Sequence, residues 1–181
     1  MTFADHFILL ARYNQWMNAK LIDAAGQLPE QALLQDRGAF FGSLFATLNH
    51  LIVADTMWLK RFINHPAQFA ALTPVQALPQ PASLDEIPCP DLASYAARRA
   101  LLDDAISGMA SALTDADLAH VLQYKNAKGI AGSKPFSALL VHLFNHQAHH
   151  RGQASTLFFQ AGIDIGATDL PLLIPDQPAV A

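Results

Sequence analysis

The chain has one cysteine, Cys89, among 181 residues, so it has no internal disulfide framework. Cys89 stands in the segment Ile87-Pro88-Cys89-Pro90 with no base nearby in sequence, which makes it a poor catalytic thiol. Charge is scarce as well. Asp, Glu, Lys and Arg make up 14% of the residues against 52% hydrophobic, where soluble domains average about 25% charged. So little charge points to broad buried faces and to a subunit interface, and a homodimer is expected. The net charge is −4, and no basic cluster is longer than Arg98-Arg99, which argues against nucleic-acid binding through an electrostatic footprint. The segment Met1–His6 lacks the basic region and apolar run of a secretory signal. The longest apolar stretch, Phe40 to Ala54, is interrupted by Ser43, Thr47, Asn49 and His50, too short and too polar to span a bilayer. A cytoplasmic protein that engages no membrane is the expectation.

What the chain does have is helical periodicity. Its length suits one domain, 1–181. The spacing of Phe3, Phe7, Leu10, Asn14, Met17 and Leu21 predicts a first helix from Phe3 to Ala25. Thr2 is its N-cap, Asp5 completes a capping box, and Gly26 and Pro29 end it. A short helical turn at Pro29–Gln35 follows. A second helix runs from about Ser43 to Asn64 and is apolar almost all round between Leu44 and Ala54, so it should be the most buried. Trp16 and Trp58 are expected in the core.

Residues 67–90 hold Pro74, Pro79, Pro81, Pro88 and Pro90, which forbid a long helix. A connection this long lets two consecutive helices run parallel. Asp91 caps a third helix to about Leu113, with Arg99 inside its apolar stripe and so either snorkelling or buried against a partner. Thr114–Ser133 reads as a polar connection, with a short extended piece at His120–Tyr124 and a loop at Lys128–Ser133. The fourth helix opens with Pro135 at its first position, runs to Ala161 and stops at Gly162. Residues 163–181 form an irregular Pro-rich tail. The fold class is all-α, a four-helix bundle with a long crossover between helices 2 and 3.

Half of the eight histidines fall within nine residues of the fourth helix, His142 to His150. His146 and His150 are i and i+4, one turn apart on one face, which lets two imidazoles grip one metal ion. His50 lies on the second helix among aliphatic residues, where a buried imidazole without a partner costs roughly 1–3 kcal/mol. Sites in bundles are built from facing helices. His50, His146 and His150 together would make a three-histidine site with open positions, the pattern of catalytic rather than structural metals. His149 points about 100° away from His150 and reads as a supporting or surface residue. His142 packs below the site, His120 covers its open end, and His6 and His65 are solvated or structural. The run from His146 to His150 has the spacing of a zinc-protease helix, but Gln147 stands where such a helix carries the glutamate general base, which excludes that chemistry. Asp55 either orients a histidine or pairs with Arg99 or Arg151. Gly152, in mid-helix, implies a close helix crossing or a ligand channel. No general base is evident, so catalytic residues beyond the ligands are unassigned.

Three stretches carry a family resemblance: Tyr13-Asn14-Gln15-Trp16-Met17-Asn18; Leu48-Asn49-His50-Leu51-Ile52-Val53-Ala54-Asp55 followed by Trp58-Leu59-Lys60-Arg61; and Asn145-His146-Gln147-Ala148-His149-His150-Arg151-Gly152-Gln153. The chain resembles the DinB family over nearly its whole length. The resemblance implies an up-down-down-up bundle and a divalent metal, Zn2+ or Ni2+, on His50, His146 and His150. It also implies a thiol-dependent S-transferase acting on a small molecule, with bacillithiol, mycothiol or glutathione as cosubstrate. A metal-dependent hydrolase and a non-catalytic metal-binding stress-response protein are the alternatives.

Overall fold

The computed structural model describes residues 2–176; the last five residues of the expected tail lie outside them. The chain is mostly helical. In order it forms α1 (Phe3–Ala25), α2 (Glu30–Leu34), β1 (Asp36–Ala39), β2 (Gly42–Ser43), α3 (Leu44–Phe62), a 3-10 turn (Ala70–Leu72), α4 (Thr73–Gln76), α5 (Leu92–Ala112), α6 (Asp115–Ala119), β3 (Val121–Lys125), β4 (Ala131–Pro135), α7 (Phe136–Gln160) and a 3-10 turn (Leu170–Leu173).

Two short antiparallel ribbons add to the helices, one of them at the extended piece expected at His120–Tyr124. β1 pairs β2, with Asp36 opposite Ser43 and Ala39 opposite Gly42. β3 pairs β4 from Val121–Pro135 to Lys125–Ala131. Both ribbons lead directly into a long helix, so each fixes where that helix starts. β1 and β2 are too short and too polar to show a period-2 pattern, although Gly38 and Gly42 both adopt the left-handed backbone that a tight hairpin needs. In α7 the structure moves Pro135 one place out: it is the N-cap, and the helix begins at Phe136.

The capping chemistry explains the other starts. Thr2 and Asp5 satisfy each other's backbone N–H at the head of α1, as do Asp91 and Ser94 at α5. Ser43 accepts from the Ala46 N–H at α3. At the end of α7, Gly162 has φ 85°. That lets the Ile163 N–H reach back to the Phe158 carbonyl at 2.9 Å.

The four long helices enclose the core. α1 packs on α5 and α7, and α3 packs on the same two. α3 is buried almost without interruption from Leu44 to Met57. Residue pairs give the relative directions. Phe7 meets Phe144 and Asn14 meets Arg151, so α1 and α7 advance together. Trp58 meets His142 and Phe62 meets Phe136 while His50 meets His146, so α3 and α7 run opposite ways. Phe45 touches Tyr95 and Asp55 touches Arg99, so α3 and α5 advance together.

Gly152 does not sit at a close crossing. It is exposed, and a Cβ placed there meets nothing within 4 Å. No helix among the described residues is long and apolar enough to cross a membrane.

Candidate metal centre

His50 projects from the first half of α3, and His146 and His150 from the middle of α7. The antiparallel crossing of those helices brings one nitrogen from each ring within 4.8 Å of the others. His50 Nε2 and His146 Nε2 are 3.3 Å apart. Zinc–imidazole bonds of about 2.0–2.1 Å at tetrahedral angles separate ligand nitrogens by roughly 3.3–3.4 Å. The His50–His146 spacing matches that of two ligands on one ion, and His150 offers a third nitrogen within 4.8 Å of both.

The neighbours fix the tautomers. The Leu84 carbonyl lies 2.8 Å from His50 Nδ1; a carbonyl only accepts, so that nitrogen carries the proton and Nε2 keeps its lone pair. Gln153 Oε1 lies 2.7 Å from His150 Nδ1 and orients that ring in the same way. Partners on the far ring nitrogen commonly hold metal-ligating histidines. Phe41 stacks on the His50 ring with centroids 4.1 Å apart and meets His150 edge-on at 5.6 Å, which walls the rings with an apolar face.

Burial in this setting keeps the imidazoles neutral. It pushes His146 down to about 3, helped by His150, His50 and His142 close by. Burial also lowers His50 and His150, opposed at each by its hydrogen-bond partner. Neutral rings are the form that can donate a lone pair to a metal.

The other histidines are elsewhere. His149 is exposed, with its Nε2 3.3 Å from Gln153 Nε2. His142 is also exposed at the helix surface and lies edge-on to Trp58 at 4.9 Å, its ring 5.7 Å from that of His146. Trp58 itself is half-buried rather than core. His120 does not cover the centre. It packs on His65, 4.7 Å away, and His65 is buried and structural, held to the Asp117 carbonyl and the Ala67 N–H. His6 donates from Nδ1 to the Thr2 carbonyl at 2.8 Å, within its own first helical turn. Cys89 is buried and is not in the ligand cluster, and burial pushes its thiol up, away from reactivity.

A buried polar network lies in the core alongside these rings. Arg99 Nη1 is 2.6 Å from Asp55 Oδ2, and Arg99 Nη2 is 3.1 Å from Asp103 Oδ1. Asn14 and Asn18 of α1 donate to the same Asp103 oxygen at 3.2 and 2.9 Å. Arg151 donates to Asn14 and to Gln147. All seven side chains are buried, and they come from all four long helices. Burial opposes the charge on Arg99, but Asp103 and Asp55 hold its pKa above the usual value. Arg151 has amides as its hydrogen-bond partners and lies over the Tyr13 ring at 5.5 Å, and burial lowers it to about 10 against the pull of Tyr13. Of the partners open to Asp55, the structure selects Arg99.

The DinB family matches this chain over residues 1–178. The chain belongs to the DinB family. It is similar to Protein DinB of Bacillus subtilis (strain 168), at 25% identity over 171 residues that span 94% of this chain and 95% of that protein. No solved structure matches the chain significantly. Within this DinB-family chain, sequence reasoning missed Leu84, Phe41 and the orienting role of Gln153. Gln153 had a signal: it lies three residues beyond His150, on the same helix face. Leu84 acts through its carbonyl, which no side-chain pattern marks.

The shifted histidines give a testable pH dependence. Burial lowers His50, His65, His146 and His150 from the ordinary value of 6.5. In metal-free protein the unfolded chain therefore takes up protons first as pH falls. The stability these groups support is full above about pH 6.5 and is lost as pH falls toward their folded values, about 3 for His146. Thermal melts of chelator-treated protein should show Tm falling from pH 7 to pH 5.5, with a shallower slope in His146→Gln. Equal slopes would contradict the buried neutral imidazole.

Proposed function

We propose that His50, His146 and His150 hold one divalent ion, Zn2+ or Ni2+, and that the protein is a metal-dependent enzyme acting on a small molecule, of the thiol-dependent S-transferase kind. The observation that carries the reading is three converging neutral imidazoles, two with their far nitrogens tied, and no fourth His, Cys, Asp or Glu in the cluster among the described residues. Closed structural zinc sites have four protein ligands, whereas three leave positions for a reactant. A bound ion there supplies Lewis acidity, which lowers the pKa of a thiol or water at its open positions. The chain's own groups do the rest. Leu84 and Gln153 orient the ligands, Phe41 shields one face from water, and the neutral rings add no positive charge that would repel the ion.

The architecture we propose around the site is one domain built as an up-down-down-up four-helix bundle from α1, α3, α5 and α7. The pairwise helix directions and a polar network shared by all four helices support it. Exposed Phe40 and Phe159 on a chain with so little charge support association as a homodimer.

The test is conjugation of a chromogenic aryl halide with bacillithiol, mycothiol and glutathione in turn, using protein loaded with each metal. Turnover with one thiol is expected, abolished by chelator and by His146→Ala. Tight metal binding with no turnover on the thiols or on an ester panel would overturn the enzymatic reading.

A further inference from the structure

A cleft of about 880 Å³ opens between α3, the crossover around residues 80–84 and the β3–β4 ribbon. Its size falls in the range of small-molecule sites. Its charged lining residues are Lys60, Arg61 and Lys125, with no carboxylate among them, although the chain as a whole carries a net charge of −4. No ion pair among the described residues uses any of the three.

Arg61 is held in place. Its guanidinium lies over Trp58 at 4.5 Å and near Tyr124 at 5.7 Å, and its Nε–H donates to the Lys125 carbonyl at 3.0 Å. That leaves both terminal amino groups without a partner among the described residues. Lys60 commits one donor to the Gln76 carbonyl, at 3.2 Å, and keeps two. Burial lowers the Arg61 pKa, opposed by Tyr124, so its charge is partly desolvated and no carboxylate pairs with it among the described residues. A planar fork fixed by stacking is suited to bidentate recognition of an oxyanion.

The cleft also adjoins the histidines. Leu84 lines it, and the same residue's carbonyl holds His50. Trp58, beneath Arg61, touches His142, whose ring neighbours His146.

We propose that this cleft binds the anionic end of the protein's small-molecule ligand, a carboxylate or phosphate group received by Arg61 and Lys60. It rests on the proposed function only in placing the ligand's other end toward the three histidines; binding of the anionic group stands on the cleft alone.

The experiment follows 1H–15N spectra of the full, metal-stripped chain titrated with inorganic phosphate and, separately, succinate, at constant ionic strength set with chloride. Saturable shifts are expected at the Arg61 Nε–H and at the backbone amides of Ser83, Gln123 and Lys125. The arm that saturates at lower concentration identifies the oxyanion. Lys60→Gln, which leaves the Arg61 stacking intact, should weaken binding severalfold, and Lys60→Gln/Arg61→Gln at least tenfold, with unchanged circular dichroism. Non-saturating shifts in both arms, shifts that map elsewhere, or equal affinity in folded Lys60→Gln would overturn the proposal. A parallel Zn2+ titration keeps the two readings apart. Anion binding without metal uptake sinks the metal centre and leaves the cleft, and metal uptake without anion binding does the reverse.

Discussion

Metal-stripped protein given Zn2+ or Ni2+ should take up one equivalent and melt at higher temperature. An ion that binds only the native state at a hundredfold excess over its Kd stabilises by about 2.7 kcal/mol. In a chain of this size each kcal/mol moves Tm by about 2–4 °C, so the expected rise is roughly 5–10 °C. His146→Ala should abolish most of that rise, because one of the three ligand rings is gone while the helix around it is unchanged. His149→Ala and His142→Ala should keep it, since the first ring turns outward to Gln153 and the second lies against Trp58. Calorimetric titration beside differential scanning fluorimetry checks both quantities. A full rise in His146→Ala, or loss in His149→Ala, would reassign the ligands.

The second large effect is expected away from the rings. Arg99→Met should destabilise the fold by about 3–5 kcal/mol, because Asp55 and Asp103 would be left buried without their cation. That is a large part of the roughly 5–15 kcal/mol of a typical domain. It corresponds to a Tm lower by about 6–20 °C. The pair also predicts non-additivity. Adding Asp55→Leu and Asp103→Leu to Arg99→Met should recover part of the loss, because apolar side chains of similar volume remove the stranded charge as well. Urea unfolding of the single and triple variants measures this. A neutral Arg99→Met would mean that water reaches the carboxylates and the network is not truly buried.

These two sites were legible to different degrees. The imidazoles could be paired in advance because i, i+4 on one helix is a local geometric fact, and His50 was conspicuous among aliphatic neighbours. The network was visible only as fragments: Asn14 as a polar member of an apolar stripe, Arg99 as a charge in another, and Asp55 with several possible partners. Joining them requires the lateral order of the helices, which periodicity does not encode. The ribbon β1–β2 was missed for a similar reason. Its strands are too short for alternation to show, and Phe41 became part of the site's wall only because that hairpin folds back over His50. Gly152 misled, since a mid-helix glycine has several uses and its surroundings here are open.

The amino-acid sequence by itself determined the four long helices, through apolar spacing and caps such as Thr2 and Asp91, because these depend on residues within a turn or two of each other. It also determined that His146 and His150 share a face. Only the tertiary structure decided that His50 meets them, that the Leu84 carbonyl sets the His50 tautomer, and that Arg99 answers Asp55 as well as its helix neighbour Asp103. Those contacts join residues far apart in the chain, and their distances depend on how whole helices cross.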